Sequence, residues 1–168
     1  GTTGWHGRID EFRELSVRSG NGIVYGSNFA VGMHVFMGIV LEAARLIDGL
    51  DNFDVAISET HHRHKKDAPS GTAITLANII ISNLRSKSHF VTALAEGEIA
   101  SDALHISSMR CGEVFGTHNV IIDSPAETIE LAHRAKNRRG FALGAVMAAE
   151  WICGKSGFYD IGEIIDKI

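Results

Sequence analysis

An alternating strand, a basic loop and a helix that opens on glycine follow one another between residues 53 and 84, and this succession constrains the fold most. In Phe53-Asp54-Val55-Ala56-Ile57-Ser58-Glu59 the apolar Phe53, Val55 and Ile57 fall on one face, the period of a half-buried strand. Residues 60–70 are polar and basic and break that period. From Gly71 to Leu84 the positions Ala73, Leu76, Ala77, Ile80 and Leu84 recur at helical spacing. A strand that feeds a helix through a polar loop is the unit from which α/β sheets are built.

Similar reasoning organises the rest. Residues 5–19 predict an amphipathic helix with Ile9, Phe12 and Leu15 on one side, and Gly20-Asn21-Gly22 predicts a turn. Ile23-Val24-Tyr25 reads as a short strand and Gly26-Ser27-Asn28-Phe29 as a loop. A helix is expected from Val31 to Asp48, stopped by Gly49. Val114–Ile122 and Thr128–Ala135 predict two strands joined through Asp123-Ser124-Pro125-Ala126. Residues 140–153 predict an alanine-rich helix and Ile161–Ile168 a last short one, while residues 85–104 show no clear period. The order implies an α/β chain with an open mixed sheet. Residues 19–41 carry no charge, but five glycines and Asn21, Ser27, Asn28 and His34 interrupt the run. A bilayer span needs about 20 predominantly apolar residues, so no membrane partner is expected.

Charge then singles out one segment. Lys and Arg number 16 against 20 Asp and Glu, a net charge of −4, which argues against a nucleic-acid-binding surface. Yet His61-His62-Arg63-His64-Lys65-Lys66 packs three histidines and three formal positive charges into one stretch. Like charges repel, so such a cluster makes sense where an anion must be held. Histidine can also exchange a proton near neutrality. Pro69-Ser70-Gly71-Thr72 then enters the helix, with Ser70 or Thr72 as the N-cap. The unpaired N–H groups of a helix start favour carboxylate or phosphate, so two routes converge on one anionic ligand. A solvated basic loop would explain the charge but not its placement. A metal site is not expected, because Arg63, Lys65 and Lys66 would repel a cation and no Cys pair or His-Glu-x-x-His pattern occurs.

Gly1-Thr2-Thr3-Gly4 and Gly26-Ser27-Asn28-Phe29 form a second group, small-residue loops suited to a cofactor crevice beyond strand ends. No G-x-G-x-x-G is present, so a pyrophosphate loop is not. Arg138 and Arg139 follow a strand and could face the same site, but solvation is the default reading for such arginines. His34, His118 and His133 read as hydrogen-bonded structural histidines, and Cys111 and Cys153 as reduced thiols of a cytoplasmic protein.

His61-His62-Arg63-His64-Lys65 followed by Asp67-Ala68-Pro69-Ser70-Gly71-Thr72-Ala73 resembles the signature of the dihydrodipicolinate reductase family, also called 4-hydroxy-tetrahydrodipicolinate reductase. Gly1-Thr2-Thr3-Gly4, Asn28-Phe29-Ala30-Val31-Gly32, Gly116-Thr117-His118 and Arg138 through Gly144-Ala145 resemble it in the same order. The resemblance implies NADPH- or NADH-dependent reduction of 4-hydroxy-tetrahydrodipicolinate to tetrahydrodipicolinate, in the diaminopimelate route to lysine. It implies a Rossmann-type dinucleotide-binding domain, here residues 1–28 and a returning segment 139–168. Residues 29–138 would form a substrate domain whose open sheet builds a homotetramer. By motif match His61 is the acid/base residue and Lys65 the proton donor. His62, Ser70, Gly71 and Thr72 bind the cyclic dicarboxylate; Gly1, Thr2, Thr3, Gly26, Ser27, Asn28 and Phe29 contact the nicotinamide end of the cofactor. The family's glycine-rich phosphate loop has no counterpart, so the chain is expected to be a fragment of limited activity that binds dinucleotide poorly. The alternative expectation is a non-catalytic dicarboxylate-binding or assembly module.

Overall fold

The computed structural model describes residues 5–94 and 97–167. In chain order, a 3-10 turn at His6–Arg8 precedes α1 (Ile9–Ser19), β1 (Gly22–Tyr25), α2 (Val31–Ile47), β2 (Asp54–His61) and α3 (Gly71–Asn83). Then come β3 (His89–Val91), β4 (Ala103–Arg110), β5 (Thr117–Asp123), β6 (Thr128–Arg134), α4 (Arg139–Ile152), β7 (Gly157–Asp160) and α5 (Ile161–Ile164). The chain divides into two compact units: the segments up to Val31 and from Arg139 form one, Gly32–Arg138 the other. Among the described residues, no helix is long and apolar enough to cross a membrane.

In the Gly32–Arg138 unit, five strands lie in the order β3-β4-β2-β5-β6. The pairs β3–β4 and β4–β2 are parallel, while β5 runs antiparallel to both β2 and β6. This is the expected open mixed sheet. Val40, Ala44 and Ile47 of α2, Ile80 of α3, and Val55, Val120 and Ile122 of the sheet close around one small gap, so both helices share one sheet face. On the other face Ala56, Ser58, Thr60, Asn119 and Ile121 are half-buried, and Asn119 Nδ2 donates to Ser58 Oγ at 3.2 Å.

In this unit three differences from the sequence pattern have physical causes. The strand expected over 53–59 begins at Asp54 and continues to His61, so Glu59 and His61 follow Val55 and Ile57 onto the buried face. Polar neighbours hide that continuation, because burial there rests on hydrogen bonds rather than apolar contact. The strand expected from Val114 begins only at Thr117, after Gly116 with φ 149°. Finally, residues 85–104 hold β3 and the start of β4. These are placed by Lys87, which is 4% exposed, with Nζ 2.6 Å from Asp54 Oδ1. Nζ also donates to the carbonyls of Ser101 at 2.7 Å and Ala103 at 3.0 Å. A buried ammonium is tolerable only when so fully paired, and the pairing ties the α3–β3 link to the starts of β2 and β4.

In the other unit β1 and β7 form a parallel pair, Ile23 opposite Phe158 and Tyr25 opposite Asp160. β7 falls outside the sequence expectation, because its strand partner among the described residues lies more than a hundred residues earlier in the chain. Ala148 of α4 and Ile161 and Ile164 of α5 are buried together, with Val24, Phe29, Trp151 and Tyr159 packed around them. Gly144 of α4 presses on the Phe29 carbonyl so closely that a Cβ there would lie 1.7 Å from its oxygen. The Tyr25 and Phe158 rings stack at 4.5 Å, and the Arg13 guanidinium lies 4.9 Å from the Phe158 centroid.

Candidate functional site

Within the Gly32–Arg138 unit the basic segment forms a loop, residues 62–69, between the end of β2 and the start of α3. Its backbone is held by Arg63 N donating to Gly112 O at 3.0 Å and Lys65 N to His62 O at 3.1 Å. His61 is the last residue of β2, and its carbonyl accepts from Cys111 N at 2.9 Å. Ser70 is the N-cap of α3, its hydroxyl accepting from Ala73 N at 3.2 Å.

Both ends of the loop converge on the carboxylate of Glu59, which is 1% exposed. Glu59 Oε1 accepts from Ser70 N at 3.1 Å, Ser108 Oγ at 2.8 Å and Arg110 Nη2 at 3.0 Å. Glu59 Oε2 lies 2.8 Å from His61 Nδ1, close in distance though bent from the line of a full hydrogen bond. Burial works to raise this carboxyl, but hydrogen bonds from His61, Ser70, Ser108 and Arg110 outweigh it and hold it far below the ordinary carboxylate range. The His61 ring packs edge-on to His118 with centroids 5.1 Å apart. The bare backbone of Gly116 makes room beside the ring: a Cβ there would meet His61 Nε2 at 3.1 Å.

The expected site residues distribute unevenly around this anchor. His61 and Ser70 are buried in it, with Ser70 Oγ also 3.3 Å from His118 Nε2. Thr72 is buried and Gly71 exposed in the first turn of α3, while His62 is half-buried on the loop. Lys65 is also half-buried and pairs with Asp67 at 2.9 Å. Burial would raise the Asp67 carboxyl, but Lys65 and the backbone N–H groups of Asp67 and Gly71 hold it below its usual value. Ser70 therefore spends its side chain inside the protein, leaving the backbone at Gly71 and Thr72 as the helix-start surface.

Glu59, Arg110 and His118 escaped sequence reasoning as site members. His118 is hydrogen-bonded, as expected of a structural histidine, yet it stands against His61. Its one sequence signal was membership of Gly116-Thr117-His118. Burial, then the adjacent His61, pushes His118 down to about 4. The unfolded chain, with histidine near 6.5, then binds more protons than the folded one, so stability falls as pH drops from 6.5 towards 4. Glu59 adds to the loss at lower pH still. Urea midpoints measured from pH 7 to 4.5 are expected to show a decline worth roughly 2 kcal/mol, flattened in His118→Gln; a level profile would contradict it.

One ligand atom from each of Glu59, His61 and His118 lies within 4.8 Å of the others, a grouping the metal-free expectation did not contain. β5 supplies the third member from outside the basic segment. Arg110, 3.0 Å from Glu59 Oε1, places a fixed positive charge on the same carboxylate and opposes a divalent ion there.

The second expected group lies in the other unit. Gly26, Ser27, Asn28 and Phe29 line a cavity of about 830 Å³ together with Trp5, Phe12, Tyr25, Phe141 and Ala145. Glycine is required at position 26, where a Cβ would lie 2.3 Å from Ile161 Cγ2. Asn28 Oδ1 accepts from Ala30 N at 2.8 Å and fixes the loop. Gly1, Thr2 and Thr3 lie outside the described residues. Arg138 and Arg139 are exposed.

Comparison with known proteins places this geometry. A 4-hydroxy-tetrahydrodipicolinate reductase from Christiangramia forsetii is 38% identical over 169 residues, covering 100% of this chain and 69% of its own length. One from Methanoculleus marisnigri is 40% identical, covering 92% of this chain and 60% of its own. One from Neisseria gonorrhoeae is 34% identical, with 98% and 62% covered. The chain thus spans 60–69% of the length of these relatives. A structure described as dipicolinate-bound dihydrodipicolinate reductase from Paenisporosarcina sp. TG-14 superimposes with a TM-score of 0.69 at 24% identity, covering 98% of this chain and 63% of that one, which shows the shared fold. The family profile "Dihydrodipicolinate reductase, C-terminus" matches residues 32–165, a span that holds the basic loop, the Glu59 anchor and the mixed sheet. On that match, and on relatives aligned over 92–100% of its length, the chain belongs to the dihydrodipicolinate reductase family.

Proposed function

We propose that this chain carries the dicarboxylate site and part of the cofactor unit of a reductase that converts 4-hydroxy-tetrahydrodipicolinate to tetrahydrodipicolinate with NADPH or NADH, in the diaminopimelate route to lysine. The supporting observation is the meeting of loop 62–69 with the start of α3 at one buried carboxylate. His62 and the backbone at Gly71 and Thr72 would take the ring carboxylates, using side-chain charge and the helix N-terminus. Lys65 would deliver a proton to the reduced ring, and His61 would act as acid/base. Residues 29–138 would then be the substrate domain, and the flanking segments 1–28 and 139–168 the cofactor part.

The cavity lined by Gly26, Ser27, Asn28, Phe29 and aromatic side chains suits a flat, amide-bearing ring, with backbone groups to bond the amide. A nicotinamide held there supplies hydride; the residues of this chain orient and neutralise. The half-buried sheet face that carries Ala56, Ser58, Thr60, Asn119 and Ile121 supports association as a homotetramer. The exposed, unpaired Cys111 and Cys153 suit a reducing cytoplasm.

Isothermal titration of the intact protein with pyridine-2,6-dicarboxylate tests the reading. Binding that weakens as salt rises is expected, since exposed charges in the site are screened. Absence of binding would remove the proposal. A second reading, a dicarboxylate-binding or assembly module, draws on the chain spanning only part of its relatives' length. It predicts that binding without NAD(P)H oxidation.

A further inference from the structure

The two atoms that face each other at the centre of the network, Glu59 Oε2 and His61 Nδ1, are buried and 2.8 Å apart, and among the described residues neither makes a full hydrogen bond to any other group. His118 Nε2 is 3.9 Å from Oε2, too far to serve. A carboxylate can only accept, so the proton between them sits on Nδ1. That leaves His61 Nε2, beside Gly116, as the nitrogen whose state changes in the reaction. Meanwhile Glu59 Oε1 collects three donors, from the helix start and from two side chains of β4. The geometry points to Glu59 as the positioning residue of the reaction: one oxygen sets the tautomer and orientation of His61, and the other sets the helix start that meets the ligand's carboxylate.

This inference rests on the reductase reading and adds a separable claim to it. A purely structural strut would hold the fold yet leave the His61 tautomer free. The charged and titratable groups around the pair are Arg110 on β4, His118 on β5 and Lys65 on the loop, and none of them hydrogen-bonds His61 Nδ1.

Glu59→Gln separates the two roles. Its amide oxygen must face Ser70 N and Arg110, which can only donate, and the Ser108 hydroxyl can donate to the same oxygen. The amide NH2 then points at His61 Nδ1 and drives the proton to Nε2. Nitrogen-15 NMR of the His61 ring in the intact protein is expected to show Nδ1 protonated in the parent and Nε2 alone protonated in neutral Glu59→Gln. Turnover is expected to fall about 100-fold, with pyridine-2,6-dicarboxylate affinity within a few-fold of the parent. Loss of affinity with the tautomer and kcat unchanged would make Glu59 a strut only and overturn the inference. Should Glu59→Gln not fold, the parent spectrum decides alone: a neutral ring with Nδ1 bare refutes the claim. If the parent protein itself fails to bind the dicarboxylate, the functional reading falls instead, and the tautomer result still stands on its own.

Discussion

Lys65→Met in the intact protein is expected to lower kcat by about 10²- to 10⁴-fold, the range associated with removing a positioned proton donor. Methionine keeps the length and apolar stem of the side chain while deleting its charge and proton. The partner, Asp67, is more than half exposed, and such ion pairs contribute about 1 kcal/mol or less. The melting temperature is therefore expected to stay close to the parent value. Affinity for pyridine-2,6-dicarboxylate is also expected to drop, because the loop loses one of its cations. Steady-state NAD(P)H oxidation with thermal unfolding as the control reads both. Turnover within a few-fold of the parent would show that Lys65 is not the donor.

Gly144→Ala acts on stability instead. The new methyl would fall 1.7 Å from the Phe29 carbonyl oxygen and 2.9 Å from its carbon, and backbone cannot swing aside as a side chain can. Overpacking costs about 1–3 kcal/mol where neighbours yield; here α4 itself must move, and a loss above about 3 kcal/mol is expected. Phe29, Phe141 and Ala145 line the cavity, so its shape is expected to change with the helix position. Gly38→Ala is the control: it lies exposed inside α2 with nothing within 4 Å of a new Cβ, and alanine there is expected to stabilise by up to about 1 kcal/mol. Denaturant unfolding of both variants tests the contrast, and equal effects would mean that the α4 contact is softer than its geometry implies.

The residues that were legible in the sequence were those whose neighbours in space are also neighbours in the chain. The helical period from Gly71 to Leu84, a cap at Ser70 or Thr72 and the cationic run His61–Lys66 all declare themselves locally, and the structure places the cap at Ser70. What remained hidden was assembled from distant strands. Glu59 looked like the polar end of a strand until Ser108 and Arg110, from β4, supplied the donors that allow its burial. His118 arrives from β5, and β3 is defined less by its own three residues than by its pairing with β4. No periodicity encodes such pairings, because they depend on crossovers between segments of unlike pattern. The family resemblance named His61 and Lys65 without naming the group beneath them.

The closure of loop 62–69 at both roots by one carboxylate has an evolutionary consequence. The roots belong to the sheet and to α3, whereas Arg63, His64 and Lys66 are exposed and take no part in the Glu59 network. A lineage can exchange those outward positions, and so retune which acids are welcomed, without renegotiating the architecture that holds the loop in place.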